Sequence, residues 1–191
     1  LYYTVHSTLA GAALFLIVDL VRTGRRDLAL VPQPPMAGHA LTAGLFFIGA
    51  IAMVGLPPLS GFLGKLLVLN AAFDSDQMVW IWAVVLGSSL ISIVGFSRAG
   101  SILFWKAHSV ELSDETAVDA AKTDDDMPAP TALSYVAVGG LIALLAAHTV
   151  FAGQVHAYTT SSAAQLFAPE PYIATVVETP GKLSHPTAKD H

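Results

Sequence analysis

The stretch Phe46–Lys65, FFIGAIAMVGLPPLSGFLGK, is apolar on both sides of a short interruption. The adjacent Pro57 and Pro58 remove two backbone donors and clash with the preceding turn, which predicts two half-helices instead of one continuous helix. In a membrane, irregular backbone is tolerated only where it is buried in protein or lines a hydrated cavity, so the interruption is interpreted as a hydrated helix break. The residues assigned to the break are Gly55, Pro57, Pro58, Ser60 and Gly61.

The composition of the whole chain agrees with a membrane environment. Of its 191 residues, 54% are hydrophobic and only 12% are charged, whereas soluble domains carry about 25% charged residues. The chain has no cysteine, which excludes disulfides and thiolate metal sites. The net charge is −5, and the acidic residues are concentrated in one stretch. This charge distribution does not suggest a surface that binds nucleic acids. No metal or cofactor motif is recognisable, and an all-α integral membrane protein is predicted.

Four apolar segments predict four transmembrane helices, of which the second is broken near mid-membrane. The predicted spans are residues 1–21, 39–73, 78–105 and 131–151. Together they define a membrane bundle over residues 1–154. An acidic stretch between the third and fourth spans is expected to be a solvated loop. Residues 155–178 predict an extracytoplasmic interfacial segment, and residues 179–191 a disordered tail.

The basic residues predict the orientation of the bundle. The loop after the first span carries Arg22, Arg25 and Arg26, and the loop after the third carries Lys106 and Lys122. By the positive-inside tendency these loops are cytoplasmic, which places the C-terminus outside a multi-pass bundle. Because the chain begins at Leu1 with no Met and no leader pattern, we expect it to be part of a longer polypeptide.

Lys65 is the first candidate for a functional residue. It follows the break near the predicted mid-membrane depth, where a charged Lys costs about 2.5–3.5 kcal/mol on insertion scales. Desolvation disfavours its charged form, so a Lys at this depth is able to gain and lose a proton. The alternative is a Lys that reaches an interface, or that forms a static ion pair with an acid on a helix outside this chain.

Two histidines are further candidates for proton transfer. His6 lies among small residues in the first span, so it is expected to face other helices and to relay protons. His39 follows Pro34 and Pro35, where the chain re-enters the membrane, and could accept protons on the cytoplasmic side. Each could instead serve packing alone.

Two more polar residues in the spans receive weaker interpretations. Arg98 stays protonated, so it could modulate the field at a nearby Lys, pair with an acid, or extend to the interface. His148, near the outer end of the fourth span, is interpreted as a packed or interfacial residue.

The run from Phe46 to Lys65 resembles the broken helix of the antiporter-like subunits shared by complex I, membrane-bound hydrogenases and Mrp-type cation/proton antiporters. The sequence from His6, HSTLAGAALFL, looks like the helix that precedes the break in this family. Spacing, loop charges and the motif Ala168–Val177, APEPYIATVV, look most like the D-type subunits of Mrp/Pha antiporters.

This resemblance implies a subunit of fourteen helices, of which the chain would supply the last four. Lys65 would be the terminal channel lysine and His6 the neighbouring relay histidine. One departure is Gly11, which stands where many relatives have a Lys about a turn after the His. A dense relay in the first span is therefore not expected.

The preferred hypothesis is a non-enzymatic subunit of an Na⁺(K⁺)/H⁺ antiporter in the bacterial cell membrane, with other membrane subunits of an Mrp/Pha-type complex and the lipid bilayer as partners. H⁺ and Na⁺ or K⁺ would be transported, with no cofactor. One alternative is a proton-pumping subunit of a respiratory NADH:quinone oxidoreductase or a hydrogenase. A second is a structural subunit with Lys65 in a static ion pair.

Overall fold

The computed structural model describes residues 1–27, 29–36, 38–109, 130–168 and 170–178. Within these ranges the regular structure is helical, and three helices are long and apolar enough to cross a membrane. A π-helical turn, Ser101–Trp105, extends the fourth helix. The helices are α1 (Tyr2–Arg25), α2 (His39–Val54), α3 (Ser60–Ala71), α4 (Met78–Gly100), α5 (Ala132–Val150), α6 (Ala152–Phe167) and α7 (Glu170–Glu178).

The predicted second span contains two short helices. α2 has 16 residues and α3 has 12, which at 1.5 Å per residue gives lengths of about 24 and 18 Å. Each is shorter than the hydrocarbon core of about 30 Å. The three qualifying spans are α1, α4 with its π-helical extension, and α5. A fourth crossing by α2 and α3 together stays a prediction.

α1 lies at the centre of the bundle, in contact with α2, α3 and α5. Its buried Ile17 and Leu20 pack in one cluster with Phe46 of α2, Phe104 and Val138 of α5. These side chains are densely packed against one another, and their many dispersion contacts stabilise the bundle. The cluster therefore holds α1, α2, α5 and the end of the α4 segment together.

α4 is the most exposed of the three helices that are long enough to cross a membrane. It contacts α2 and α3, yet none of its most apolar stretch is buried. Its exposed side chains include Val79, Trp80, Leu90, Ile91 and Val94. An apolar surface of this extent requires lipid or other membrane segments against it.

The region after the fourth predicted span is helical where it is described. α6 begins two residues after α5 ends, and α7 follows from Glu170. Its interfacial, extracytoplasmic position stays a prediction. The acidic segment over residues 110–129 and the tail over residues 179–191, for which a solvated loop and disorder are predicted, lie outside the described residues.

The close approach of α1 and α3 generates a test of the packing. A Cβ at Gly64 would lie 2.8 Å from Cδ2 of Tyr3, whereas one at Gly87 on α4 would meet no atom within 4 Å. We therefore expect Gly64→Val to destabilise the bundle by about 1–3 kcal/mol through overpacking. Gly87→Val is the matched control. A purified complex whose melting temperature falls equally with both substitutions would contradict this packing of α1 on α3.

Candidate functional site

The break between α2 and α3 leaves helix-end carbonyl groups that need hydrogen-bond donors. Gly55, with φ of 77°, turns the chain out of α2, and its amide donates to the carbonyls of Ile51 and Ala52. That left-handed backbone conformation favours glycine. The final carbonyls of a helix have no partner within the helix. The Gly55 amide serves Ile51 and Ala52, and side chains on two other helices donate to the carbonyls of Ala52 and Val54.

Lys65 supplies one of these donors. Its Nζ donates to the carbonyl oxygen of Val54 at 2.6 Å and to Oγ of Ser89 at 2.6 Å. The Ser89 hydroxyl itself donates to the carbonyl of Val85 at 2.8 Å, so Ser89 accepts from Lys65. A cation near a helix C-terminus is also stabilised by the helix dipole. Lys65 therefore bridges the end of α2 to the middle of α4.

The stem of Lys65 runs over Gly55. A Cβ added at Gly55 would lie 2.9 Å from Cδ and 3.1 Å from Cε of Lys65. A side chain at this position would push the lysine away from the carbonyl of Val54. Glycine thus supplies both the turn and the space for the lysine.

The ammonium of Lys65 binds neutral oxygen atoms. Within the described ranges no carboxylate lies at ion-pair distance from Lys65. An ammonium has three N–H donors, and two are used here. The alternative of a static ion pair with an acid on a helix outside this chain stays untested.

A cavity of about 200 Å³ lies beside Lys65. Ser88 and Ser92 of α4 line it together with Lys65, Tyr3 and Met53. Its volume exceeds the roughly 30 Å³ that a water molecule occupies in the liquid, and its wall offers several polar groups. The cavity is therefore large and polar enough for water to reach the lysine.

His6 supplies the second donor at the break. Its imidazole is 1% exposed, with Nε2 3.1 Å from the carbonyl oxygen of Ala52 and Nδ1 2.8 Å from Oγ of Ser60. Because a carbonyl only accepts, Nε2 carries a hydrogen, and in the neutral ring Nδ1 accepts from the Ser60 hydroxyl. In the imidazolium, Nδ1 donates to the same oxygen. Both charge states keep both hydrogen bonds, and the change requires only rotation of the Ser60 hydroxyl.

The first turn of α3 is fixed by α5. The backbone amide of Ser60 donates to Oγ1 of Thr149 at 2.8 Å, and the Thr149 hydroxyl donates to the carbonyl of Leu145 at 2.9 Å. The amide of Ser60 is one of the free donors at the start of a helix. The break is thus bound by polar side chains of α1, α3, α4 and α5.

Gly61 permits the approach of α1 to the break. A Cβ at this position would overlap the carbonyl oxygen of Ala52 and lie 2.7 Å from Nε2 of His6. Gly55, Ser60 and Gly61 of the predicted break therefore all lie beside His6 or Lys65. Pro57 and Pro58 lie in the five-residue connection between the two helices.

His39 and Arg98 lie at a distance from this cluster. His39 begins α2, 15 residues or about 23 Å along the helix from Val54, and its ring contacts Phe104 with centroids 5.5 Å apart. Arg98 is exposed on α4, nine residues or about 13 Å beyond Ser89. The roles of His39 in proton uptake and of Arg98 as an electrostatic modulator stay predictions.

Ser89 and Thr149 are the site residues that sequence reasoning missed. Ser89 belongs to a row of small hydroxyl residues, Ser88, Ser89 and Ser92, in an otherwise apolar helix, and that pattern could have indicated a polar face. Thr149 carries no such signal. Its contact with Ser60 exists only because α5 crosses the start of α3.

Comparison with known proteins shows what the first part of this chain is similar to. Residues 1–92 match the transmembrane family described as NADH:quinone oxidoreductase/Mrp antiporter. The D-type subunit of the Na⁺/H⁺ antiporter of Alkalihalophilus pseudofirmus is 35% identical over 107 residues, covering 55% of this chain and 21% of that protein. The N-type subunit of the NADH-quinone oxidoreductase of Chlorobium chlorochromatii is 36% identical over 101 residues, covering 49% of this chain and 18% of that protein.

The D-type subunit of a probable K⁺/H⁺ antiporter of Rhizobium meliloti is 29% identical over 135 residues, covering 55% of this chain and 25% of that protein. The matched region thus spans about a fifth to a quarter of these relatives. No solved structure matches the chain. The expected resemblance to complex I and Mrp antiporter-like subunits is confirmed.

Substitution of Thr149 tests whether α5 fixes the start of α3. Thr149→Val preserves the shape of the side chain but leaves the amide of Ser60 without its acceptor, so we expect a loss of about 1–3 kcal/mol in stability. Thr8→Val is the control, because Thr8 is exposed and its hydroxyl bonds only to the carbonyl of Thr4 one turn earlier. Equal thermal stability of the two variants in the purified complex would show that α5 does not fix the start of α3.

Proposed function

We propose that this chain, whose residues 1–92 match the transmembrane family described as NADH:quinone oxidoreductase/Mrp antiporter, provides part of a proton path in a multisubunit Na⁺(K⁺)/H⁺ antiporter. The path passes Lys65 and His6 at the break between α2 and α3. The observation that carries this proposal is the binding of both side chains to carbonyl groups at the end of α2. Two protonatable side chains, one on α1 and one on α3, thus bind the same end of α2.

Lys65 acts as the proton carrier. Its contacts are neutral and include hydroxyl oxygen and a polar cavity, so no carboxylate of the described chain holds it permanently in the charged form. Loss of a proton to water in the cavity leaves a neutral amine that still has two N–H donors for Val54 and Ser89. The site therefore keeps its hydrogen bonds in both charge states.

His6 is the partner of Lys65 in this mechanism. The two groups lie close enough to interact electrostatically, so a proton on one disfavours a proton on the other. A proton reaching His6 promotes release from Lys65, and release from Lys65 allows His6 to accept the next proton. Protons are thereby passed along the break without both groups being charged together.

Coupling to a cation gradient supplies the direction of transport. Each elementary charge moved across the membrane is worth about 2.3 kcal/mol per 100 mV, so exchange of H⁺ for Na⁺ or K⁺ draws on the membrane potential and the proton gradient. The relatives named as parts of Na⁺/H⁺ and K⁺/H⁺ antiporters support this exchange. No bond of a substrate is made or broken, so the protein is a transporter component and not an enzyme.

The membrane environment and the partner subunits are proposed from the same family match. We propose the end of a fourteen-helix, antiporter-like subunit in the bacterial cell membrane, with its C-terminus outside the cell. The exposed apolar face of α4 is available for lipid or for the other membrane subunits of an Mrp/Pha-type complex. Both environments match that face in polarity.

A second candidate function is proton pumping within a redox complex. It is favoured by the relatives named as N-type subunits of NADH-quinone oxidoreductases. The cluster at the break would serve both functions, since each needs a proton path. Isolation of the native complex separates them: an antiporter contains only membrane subunits, whereas a redox complex brings flavin and iron-sulfur subunits.

Replacement of Lys65 tests the proposed path. In vesicles containing the complete complex, we expect Lys65→Ala to reduce cation-dependent proton transport by about a hundredfold or more, in line with the loss of an acid-base group. Lys65→Arg should assemble but transport poorly, because a guanidinium does not release its proton. The measurement is the initial rate of internal pH change after a cation pulse.

Lys106→Ala is the matched control, because Lys106 is exposed at the end of the α4 segment. It should transport at the rate of the unsubstituted complex. If Lys65→Ala assembles fully and transports at that same rate, Lys65 lies outside the path and has a structural role.

A further inference from the structure

His148 is a buried titratable residue that the mechanism above does not use. It lies in the last turn of α5 and is 7% exposed. Its Nε2 is buried and has no hydrogen-bond partner among the described residues. The expectation of a simply packed or interfacial histidine does not account for this nitrogen. A buried polar atom without a partner costs about 1–3 kcal/mol, and a phenylalanine in the same place would avoid that cost.

Tyr2 connects His148 to the site at the break. The rings of Tyr2 and His148 stack with centroids 4.3 Å apart and planes at 25°, and the Tyr2 hydroxyl donates to the His148 carbonyl at 3.4 Å. Tyr2 precedes His6 by four residues, which places the two on one face of α1 about one turn apart. Tyr2 therefore contacts His148 and lies one helical turn from His6 on the same helix.

The backbone of α5 gives an independent link to the break. Thr149, the residue after His148, accepts from the amide of Ser60, and the hydroxyl of Ser60 is bound to Nδ1 of His6. The position of His148 relative to His6 is therefore fixed from two sides, by Tyr2 on α1 and by Thr149 on α5. This rigidity suits a group that exchanges protons with a fixed partner.

A cavity lies on the other side of Tyr2. It has a volume of about 360 Å³ and is lined by Tyr2, Asn70 and the exposed His156, with aliphatic side chains of α3. Tyr2 is 4% exposed and contacts both the cavity and His148. Its ring thus separates the unpartnered imidazole from a partly polar space large enough for several water molecules.

We infer that His148 is a further proton-carrying residue of this site, between His6 and the cavity lined by Tyr2, Asn70 and His156. This inference rests on the proposed proton path and extends it toward the predicted extracytoplasmic side. Because no nitrogen of His6 lies within hydrogen-bond distance of Nε2 of His148, water carries the proton that His6 releases to the lone pair of neutral His148. His148 then forms an imidazolium, and His6 returns to its neutral form. The imidazolium then gives a proton to water in the cavity when the Tyr2 ring moves aside, and neutral His148 is regenerated.

The charged and titratable neighbours of this imidazole set its pH response. Tyr2 and His6 face it from α1, Lys65 lies on α3, and His156 is the titratable residue of α6 at the cavity. A proton on His6 opposes a proton on His148. His148 is therefore charged only after a proton has left the break, which favours transfer in sequence.

The test replaces His148 in the complete complex and measures cation-dependent proton transport in vesicles. His148→Phe keeps an aromatic ring against Tyr2 and removes the proton carrier, and His148→Gln keeps a polar side chain of similar length. We expect each to lower the transport rate about tenfold or more. We also expect each to change the pH profile of the rate, which a packing role would not do. Lys106→Ala, exposed at the end of the α4 segment and outside the proposed path, is the control and should transport normally.

The outcomes separate this inference from the proposed function. If Lys65→Ala abolishes transport while an assembled His148→Phe or His148→Gln complex keeps both the normal rate and the normal pH profile, the role of His148 is refuted and the path through Lys65 stands. If the complex with Lys65→Ala transports normally, the proposed function itself fails. Loss of transport in both sets, with assembly intact and Lys106→Ala unaffected, supports the inference.

Discussion

The need to satisfy the carbonyl groups at the end of α2 is the constraint on which the site depends. A membrane offers no solvent partner for such groups, and here they are bound by the imidazole of His6 and the ammonium of Lys65. The two residues proposed as proton carriers are therefore also structural donors at the break. This double role explains why both side chains are directed at the interruption and not at the surrounding apolar surface.

The same constraint determines which residues are small. Gly55 turns the chain and makes room for the stem of Lys65, and Gly61 lets His6 approach the carbonyl of Ala52. Ser60 lies between them, with its hydroxyl on His6 and its amide on Thr149. A hydroxyl that donates to one charge state and accepts from the other allows His6 to change its charge without loss of a hydrogen bond. The hydrogen bonds that His6 makes at the break are thus compatible with either charge state of its imidazole.

The two cavities give the break different surroundings on its two sides. The space beside Lys65 is lined by hydroxyl groups of α4, whereas the space beyond Tyr2 is lined by Asn70, His156 and aliphatic side chains. Transporters that use interrupted helices place their ion sites where half-helix ends meet such spaces. In this chain the central position of α1, between α2, α3 and α5, keeps His6 in contact with the break while Tyr2 reaches toward the second cavity.

The membrane class, the helical segments, the interruption after Val54 and the candidates Lys65 and His6 were all recognisable in the sequence. Hydropathy and paired prolines are local properties, and a lysine in an apolar run is conspicuous wherever the run packs. The partners of those residues were not recognisable, because Ser89, Thr149 and Tyr2 resemble ordinary membrane-helix residues until the helices cross. His39 and Arg98 are polar residues in apolar segments, so the sequence indicated both as candidates. Helix geometry places them far from the break. The sequence by itself determined that a protonatable lysine follows a broken helix. Only the tertiary structure decided which helices complete the hydrogen bonds of this lysine and where buried His148 lies, because long-range packing sets those contacts.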